Sequence, residues 1–330
     1  MRSPYLLPLA LLNAGLVLIL RTLLTPEAAA KVDAPWVPPP PRAEIPAWLP
    51  TNELSMALPS LDAAPMYPRG PHVAARAALV VDLDREEVLW GRRPDVRYPV
   101  ASLTKIVSAL TLVSLEPEPD LGGALCVTPE IWPTRPGARS RFETGVCHSG
   151  WEYLGAALVH SDNRGAMAIH ALAGVTFPRF VQAMDEASAD LGMTATWADP
   201  TGLEDNNLAS ARDMVKAVVA VASHPLLAEV ASSPTWSIER RDGSTVGLVS
   251  TNRLRERYEV LAAKTGYTDT ARYNFVTVVQ TRRGGRFAVA VLGSESEQGR
   301  FTDADRMIAW ADSLTQSATA AAAPSGRRPQ

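Results

Sequence analysis

Cysteine is scarce in this chain: Cys126 and Cys147 are the only two among 330 residues. Two thiols are too few for a structural metal scaffold. The five histidines, His72, His148, His160, His170 and His224, show no ligand spacing. No metal and no other cofactor is therefore expected. A net charge of −3 gives no electrostatic reason to expect nucleic acid or a polyanionic partner. Glycine-rich phosphate loops and internal repeats are missing, and so is the β-α-β alternation of a doubly wound sheet.

What is present begins with an apolar run. Met1-Arg2 is followed by an apolar stretch from Tyr5 to Leu20, then by Arg21-Thr22-Leu23-Leu24. One positive charge before such a run is the pattern of an export signal. Leu23 and Leu24 extend it towards the length that spans a bilayer, and Ala28-Ala29-Ala30 offers a cleavage site. Residues 1–30 thus read as a signal peptide or a membrane anchor. The rest is expected outside the cytoplasm, in the periplasm or on the outer face of the cytoplasmic membrane, touching membrane only through that segment. Residues 31–72 are rich in Pro and Ala, including Val37-Pro38-Pro39-Pro40-Pro41, and read as an extended linker. In an exported protein the lone pair Cys126 and Cys147 is expected to be disulfide-bonded.

A hydrophobic share of 46% can fill a sizeable core. Ala77 to Asp84 and Glu87 to Trp90 read as strands around a turn. Ile106 to Leu115 reads as a buried helix, Trp151 to His160 and Arg164 to Leu172 as helices, and Phe177 to Leu191 as an amphipathic one. Ser210-Ala211-Arg212-Asp213 resembles a capping box for a helix from Ala211 to Ala222. Val260 to Lys264, Phe275 to Thr281 and Arg286 to Leu292 read as strands, and Thr302 to Ser317 as a closing helix. The expected fold is α+β: a five-stranded antiparallel sheet flanked by helices, completed when both ends of the domain meet. That domain should span residues 73–317, with a disordered tail over 318–330.

The chemistry centres on Ser102-Leu103-Thr104-Lys105. Residues three apart share a helix face, so the Lys105 amine can lie beside the Ser102 hydroxyl. A serine hydroxyl is a weak nucleophile and needs a base; a lysine serves only if burial or a second cation makes it neutral. Alone this spacing arises easily by accident. Two further motifs follow it, Ser161-Asp162-Asn163 in a break between helices and Lys264-Thr265-Gly266 at a strand end.

Together the three motifs resemble those of the serine β-lactamases and penicillin-binding proteins. Ala101-Ser102-Leu103-Thr104-Lys105, Met184 to Met193, Asp199-Pro200-Thr201-Gly202-Leu203 and Lys264-Thr265-Gly266-Tyr267-Thr268 are similar to the D-alanyl-D-alanine carboxypeptidase family of low-molecular-mass penicillin-binding proteins. The likeness covers roughly residues 75 to 312 and implies a helical subdomain beside the sheet, with the active site between them. It implies a D-Ala-D-Ala carboxypeptidase acting on peptidoglycan stem peptides through an acyl-serine, with β-lactam antibiotics as inhibitors.

The resemblance also assigns roles. Ser102 is the nucleophile, Lys105 its base, and Ser161 a proton relay within reach of two lysines. Asn163 would hold the substrate amide. Lys264 and Thr265 would take the terminal carboxylate, with Lys264 also keeping Lys105 neutral. Gly266 would admit the substrate to the strand edge, and the backbone N–H groups of Ser102 and Tyr267 would form the oxyanion hole. Matched to the family, Cys126-Val127-Thr128 and Gly145-Val146-Cys147 could pair as a hairpin before the second-motif helix. The family commonly has Ser-Gly-Asn as its second motif, and Asp162 departs from that. Three alternatives remain: a DD-endopeptidase, a β-lactamase using Glu204 to activate water, and a catalytically silent wall-binding protein.

Overall fold

A computed structural model of the chain describes residues 59–115, 117, 119–131 and 140–322. All of them fall within one unit, Arg42–Gln330; the other, Met1–Pro41, holds the expected signal or anchor and lies outside the described residues.

The five strands of the main sheet are β1 (Ala77–Asp82), β2 (Glu87–Arg92), β3 (Glu259–Thr268), β4 (Arg272–Gln280) and β5 (Arg286–Ser294). Their order is β2-β1-β5-β4-β3, antiparallel throughout. Ala77 pairs with Leu292, so the opening strand docks on the closing one and joins the two ends of the domain. Both faces are buried. Alternation sends Leu79, Val81, Ala288, Ala290 and Val276 to one core, and Val80, Phe287, Val289 and Phe275 to the other.

The described residues form seven α-helices beside this sheet: α1 (Thr104–Ser114), α2 (Gly150–Val159), α3 (Asn163–Leu172), α4 (Phe177–Asp190), α5 (Ala211–Ser223), α6 (Pro225–Ser232) and α7 (Glu297–Ala322). Helix α7 closes the second face with Phe301, Ala304, Met307, Ile308 and Ala311, a stripe at helical spacing. Helix α5 packs on the first face with α6 beside it on β3, and α1 packs in turn against α3, α4 and α5. The capping box expected at Ser210 and Asp213 is formed in full, and Ser149 with Glu152 makes a second one at α2. The described residues also form three small antiparallel pairs: Tyr98–Pro99 with Leu208–Ala209, Ala124–Cys126 with Cys147–Ser149, and Thr235–Glu239 with Thr245–Val249.

Several boundaries differ from the expected ones. Leu61 is buried, the Arg212 guanidinium bonds the Leu61 and Ala63 carbonyls, and Met66 and Tyr67 donate backbone bonds to β2. The packed domain therefore starts before Val73, because this end of the linker covers an otherwise open sheet edge. Helix α7 starts at Glu297 and runs through Ala322, into the segment expected to be a disordered tail. Strand β3 continues through Lys264-Thr265-Gly266-Tyr267-Thr268 rather than stopping at Lys264, since these residues pair with β4 in unbroken register. Helix α6 and the Thr235–Val249 hairpin had no counterpart in the sequence reading.

Candidate active site

Ser102 lies in a 3-10 turn, Ala101–Leu103, immediately before α1. The turn begins with Ala101 at φ 49°, a left-handed conformation that an alanine adopts only at a cost. Two glycines explain how it is held. A Cβ on Gly202, itself at φ 82°, would lie 1.9 Å from the Ala101 carbonyl oxygen. A Cβ on Gly266 would lie 2.7 Å from the Val100 carbonyl oxygen and 3.1 Å from the Ser102 nitrogen. The nucleophile turn is thus pressed between the loop at Gly202 and the edge of β3, and only glycine permits either approach.

Lys105 is completely buried. Its Nζ lies 2.8 Å from Ser102 Oγ and donates to Asn163 Oδ1 at 2.7 Å and to the Thr201 carbonyl at 2.6 Å. A neutral amine has two N–H groups and one lone pair. The two acceptors take the N–H groups, so the lone pair faces the Ser102 hydroxyl. Burial lowers the Lys105 pKa from 10.5 to about 7, against the opposing pull of Asp199 and Asp162. Lys105 is thus a base poised at neutral pH.

The Thr201 carbonyl is fixed by its own loop. Asp199, fully buried, accepts from the backbone N–H groups of Thr201 (3.1 Å) and Gly202 (3.0 Å), and from the side chains of Thr201 and Asn207. Ser108 Oγ donates to the Pro200 carbonyl at 2.7 Å. The Asp199-Pro200-Thr201-Gly202 stretch was visible in the sequence as a family likeness, but nothing there showed that its carbonyl orients the base.

Ser161 closes α2 at φ 66°. Of the two lysines expected near it, Lys264 makes the hydrogen bond, donating to Ser161 Oγ at 2.8 Å. Lys264 also donates to the Thr265 carbonyl at 3.0 Å. Its pKa is pushed well below the usual lysine value, first by burial and then by the charges of Lys105 and Arg300. The expected repulsion between the lysines therefore bears on Lys264, while burial itself is the chief cause at Lys105. Asn163, expected to hold the substrate, turns its Oδ1 to Lys105.

A cleft of about 420 Å³ opens over these groups. Ser102, Ser161, Thr265, Gly266 and Tyr267 line it, as do Ser250, Thr251, Arg253, Glu297 and Arg300. The second set was missed in the sequence, because neither the loop before β3 nor the first turns of α7 carry a recognisable motif. Arg300 is buried, donates to the Gly266 carbonyl at 3.2 Å, and has its Nε without a partner. Arg253 and Arg300, with Glu297 paired to both, leave one end of the cleft with a net positive charge suited to a carboxylate. Glu204 is not among the described lining residues. Cys126 and Cys147 form a disulfide, across a pair of short strands.

A family model described as D-alanyl-D-alanine carboxypeptidase matches residues 64–296. The chain belongs to this family. It is 30% identical to a D-alanyl-D-alanine endopeptidase of Escherichia coli, over 73% of this chain and 78% of that protein. It is also 30% identical to the D-alanyl-D-alanine carboxypeptidase DacB2 of Mycobacterium tuberculosis, over 70% of this chain and 78% of that one. Among solved structures, penicillin-binding protein D2 of Listeria monocytogenes in its cefotaxime-bound form superposes with a TM-score of 0.64. That match has 25% identity and covers 73% of this chain and 98% of the other. As a D-alanyl-D-alanine carboxypeptidase family member, the protein has the penicillin-binding, DD-peptidase fold and is a serine D-Ala-D-Ala peptidase of peptidoglycan.

Proposed function

We propose that the protein is a DD-carboxypeptidase that removes the terminal D-Ala of peptidoglycan stem peptides through an acyl-Ser102 intermediate. One observation carries this reading: a buried lysine amine 2.8 Å from a serine hydroxyl on the cleft wall, with two further acceptors fixing the amine. Ser102 Oγ attacks the carbonyl carbon of the penultimate D-Ala, and its proton passes to Lys105. The backbone N–H groups of Ser102 and Tyr267 stabilise the oxyanion, each contributing roughly 3 kcal/mol. The C–N bond then breaks, and the leaving amine takes a proton relayed by the Ser161 hydroxyl. Water hydrolyses the Ser102 ester and frees the shortened peptide. Thr265 at the cleft wall, with Arg253 and Arg300 beyond it, meets the terminal carboxylate; buried Lys264 acts on it through Thr265 and Ser161.

A β-lactam presents a strained amide to the same serine, so it acylates Ser102 and blocks the site. The export pattern of residues 1–30 supports action outside the cytoplasm, with that segment either removed or holding the enzyme at the membrane.

The endopeptidase relative supports a second reading, in which the bond cleaved is the cross-link between two stem peptides. Incubation with purified muropeptides followed by mass analysis separates the two. Loss of a single D-Ala from monomers is expected. Splitting of cross-linked dimers with intact monomer termini would replace carboxypeptidase by endopeptidase, and unchanged muropeptides of both kinds would overturn the peptidase reading.

A further inference from the structure

Ser161 holds a left-handed backbone, which is costly for a non-glycine residue and persists only where neighbours enforce it. The next residue, Asp162, makes the enforcing contacts. Its side chain is buried. Oδ1 accepts from the backbone N–H of Gly165 at 3.0 Å, capping α3, and from Ser140 Oγ at 2.8 Å. Oδ2 accepts from the backbone N–H of Arg141 at 2.9 Å. Ser140 Oγ in turn accepts from the Phe142 N–H at 3.1 Å, and Arg164 bonds the Phe142 carbonyl. One carboxylate thus joins the second motif to residues 140–142.

Those residues belong to the segment that the disulfide bounds. Cys126 pairs with Cys147, and the ladder continues through backbone bonds from Val127 to Val146 (2.9 Å) and from Gly145 to Val127 (2.8 Å). Phe142 is buried between His148 and Tyr153, with ring centroids 4.7 and 4.5 Å away, and Tyr153 Oη donates to the Leu125 carbonyl at 2.8 Å. The bridged hairpin therefore reaches Asp162 through Phe142, Arg141 and Ser140.

Asp162 stands between the two motif residues that meet the lysines. Ser161 is bonded to Lys264 and Asn163 to Lys105. We propose that Asp162 is a positioning residue through which the Cys126–Cys147 bridge holds Ser161 and Asn163 in register for acylation. Oxidation of the cysteines is then a condition of full activity and not only of stability. This inference rests on the acyl-serine reading above.

The test couples the bridge to the carboxylate. Acylation of the full chain by benzylpenicillin is followed by intact mass at timed intervals, oxidised and after dithiothreitol. Reduction should slow the wild type by about tenfold or more, the scale expected for a small misplacement of catalytic groups. Asp162→Ala should slow the oxidised protein at least as much, and reduction should then add less than about twofold, within the error of independent effects. Equal slowing by reduction in both proteins, or undiminished acylation of reduced, folded wild type, would overturn the proposal. A bridge that served stability alone would lower the melting temperature and leave the rate of the folded protein unchanged.

Asp162→Asn keeps the shape and an acceptor, and serves where Asp162→Ala fails to fold. It should also move the acidic limb of acylation to lower pH, because it removes one of the two carboxylates, with Asp199, that favour the charged Lys105 facing Ser102, Asn163 and the Thr201 carbonyl beside Lys264. An unmoved limb together with acylation as fast as the wild type's would overturn the assignment. Oxidised wild type that takes up no benzylpenicillin overturns the acyl-serine reading itself, and is seen before any variant is compared.

Discussion

Lys105 Nζ lies 2.8 Å from Ser102 Oγ, and burial brings its pKa down to about 7. The amine is a base only when neutral. Acylation of Ser102 by benzylpenicillin should therefore fall about tenfold per pH unit below pH 7 and level off above it. The sign follows from the direction of the shift: a lysine at its ordinary value would keep the rate rising towards pH 10. Rate constants measured between pH 5 and 9 check this, and a limb centred near pH 10 would exclude Lys105 as the base. Lys105→Arg, charged throughout that range, should not acylate while keeping a folded near-UV spectrum.

Ser102→Ala should form no covalent adduct with benzylpenicillin, whereas the wild type should carry one per chain by intact mass. The substitution removes a single oxygen at the cleft wall, so the melting temperature should move little. An adduct that persists in Ser102→Ala would place the nucleophile elsewhere, with Ser161 the next hydroxyl in the cleft.

Much of the fold was legible because its signals are local. The strands of the sheet, the buried helix after Ser102 and the capping box at Ser210 and Asp213 each follow from a run of neighbouring residues. The three motifs were legible for the same reason. What escaped was carried by distant partners. That the Thr201 carbonyl orients Lys105 depends on a contact between residues 96 positions apart in the chain. Arg300 reaches the cleft from a helix that reads only as a closing element. The packed domain begins inside the Pro- and Ala-rich stretch, near Leu61, where an apolar side chain among prolines still finds the core.

Gly202 offers a test of how the nucleophile turn is held. A Cβ there would fall 1.9 Å from the Ala101 carbonyl oxygen, and φ 82° disfavours any other residue. Gly202→Ala should lose at least about 2 kcal/mol of stability, combining the left-handed cost with a backbone clash. Acylation should slow as well, because the loop can relieve the clash only by moving Thr201 from Lys105 or Ala101 from beneath Ser102. Urea unfolding and benzylpenicillin kinetics measure both. A variant with wild-type stability and rate would mean that the loop does not bear on the turn. Gly284→Ala, also at positive φ but with open space around its Cβ, separates the two costs. It should show the backbone term without loss of acylation.

Arg253 tests the carboxylate end of the cleft. Its side chain is 57% exposed and donates to Glu297 Oε1 at 2.7 Å, so its removal leaves no buried charge unpaired. Arg300, by contrast, supports the Gly266 carbonyl and its loss would disturb β3 itself. Arg253→Ala should raise KM for a peptide ending in D-Ala-D-Ala by about tenfold, the size of one charge-assisted hydrogen bond, with a smaller change in kcat. The same substitution should leave the much weaker turnover of the peptide's C-terminal amide unaltered, because that substrate offers no carboxylate to lose. Steady-state kinetics on the two peptides give four values of kcat/KM and so a double-mutant cycle. Equal losses for acid and amide would mean that Arg253 shapes the cleft without meeting the carboxylate, and would leave that role to Thr265 and Arg300.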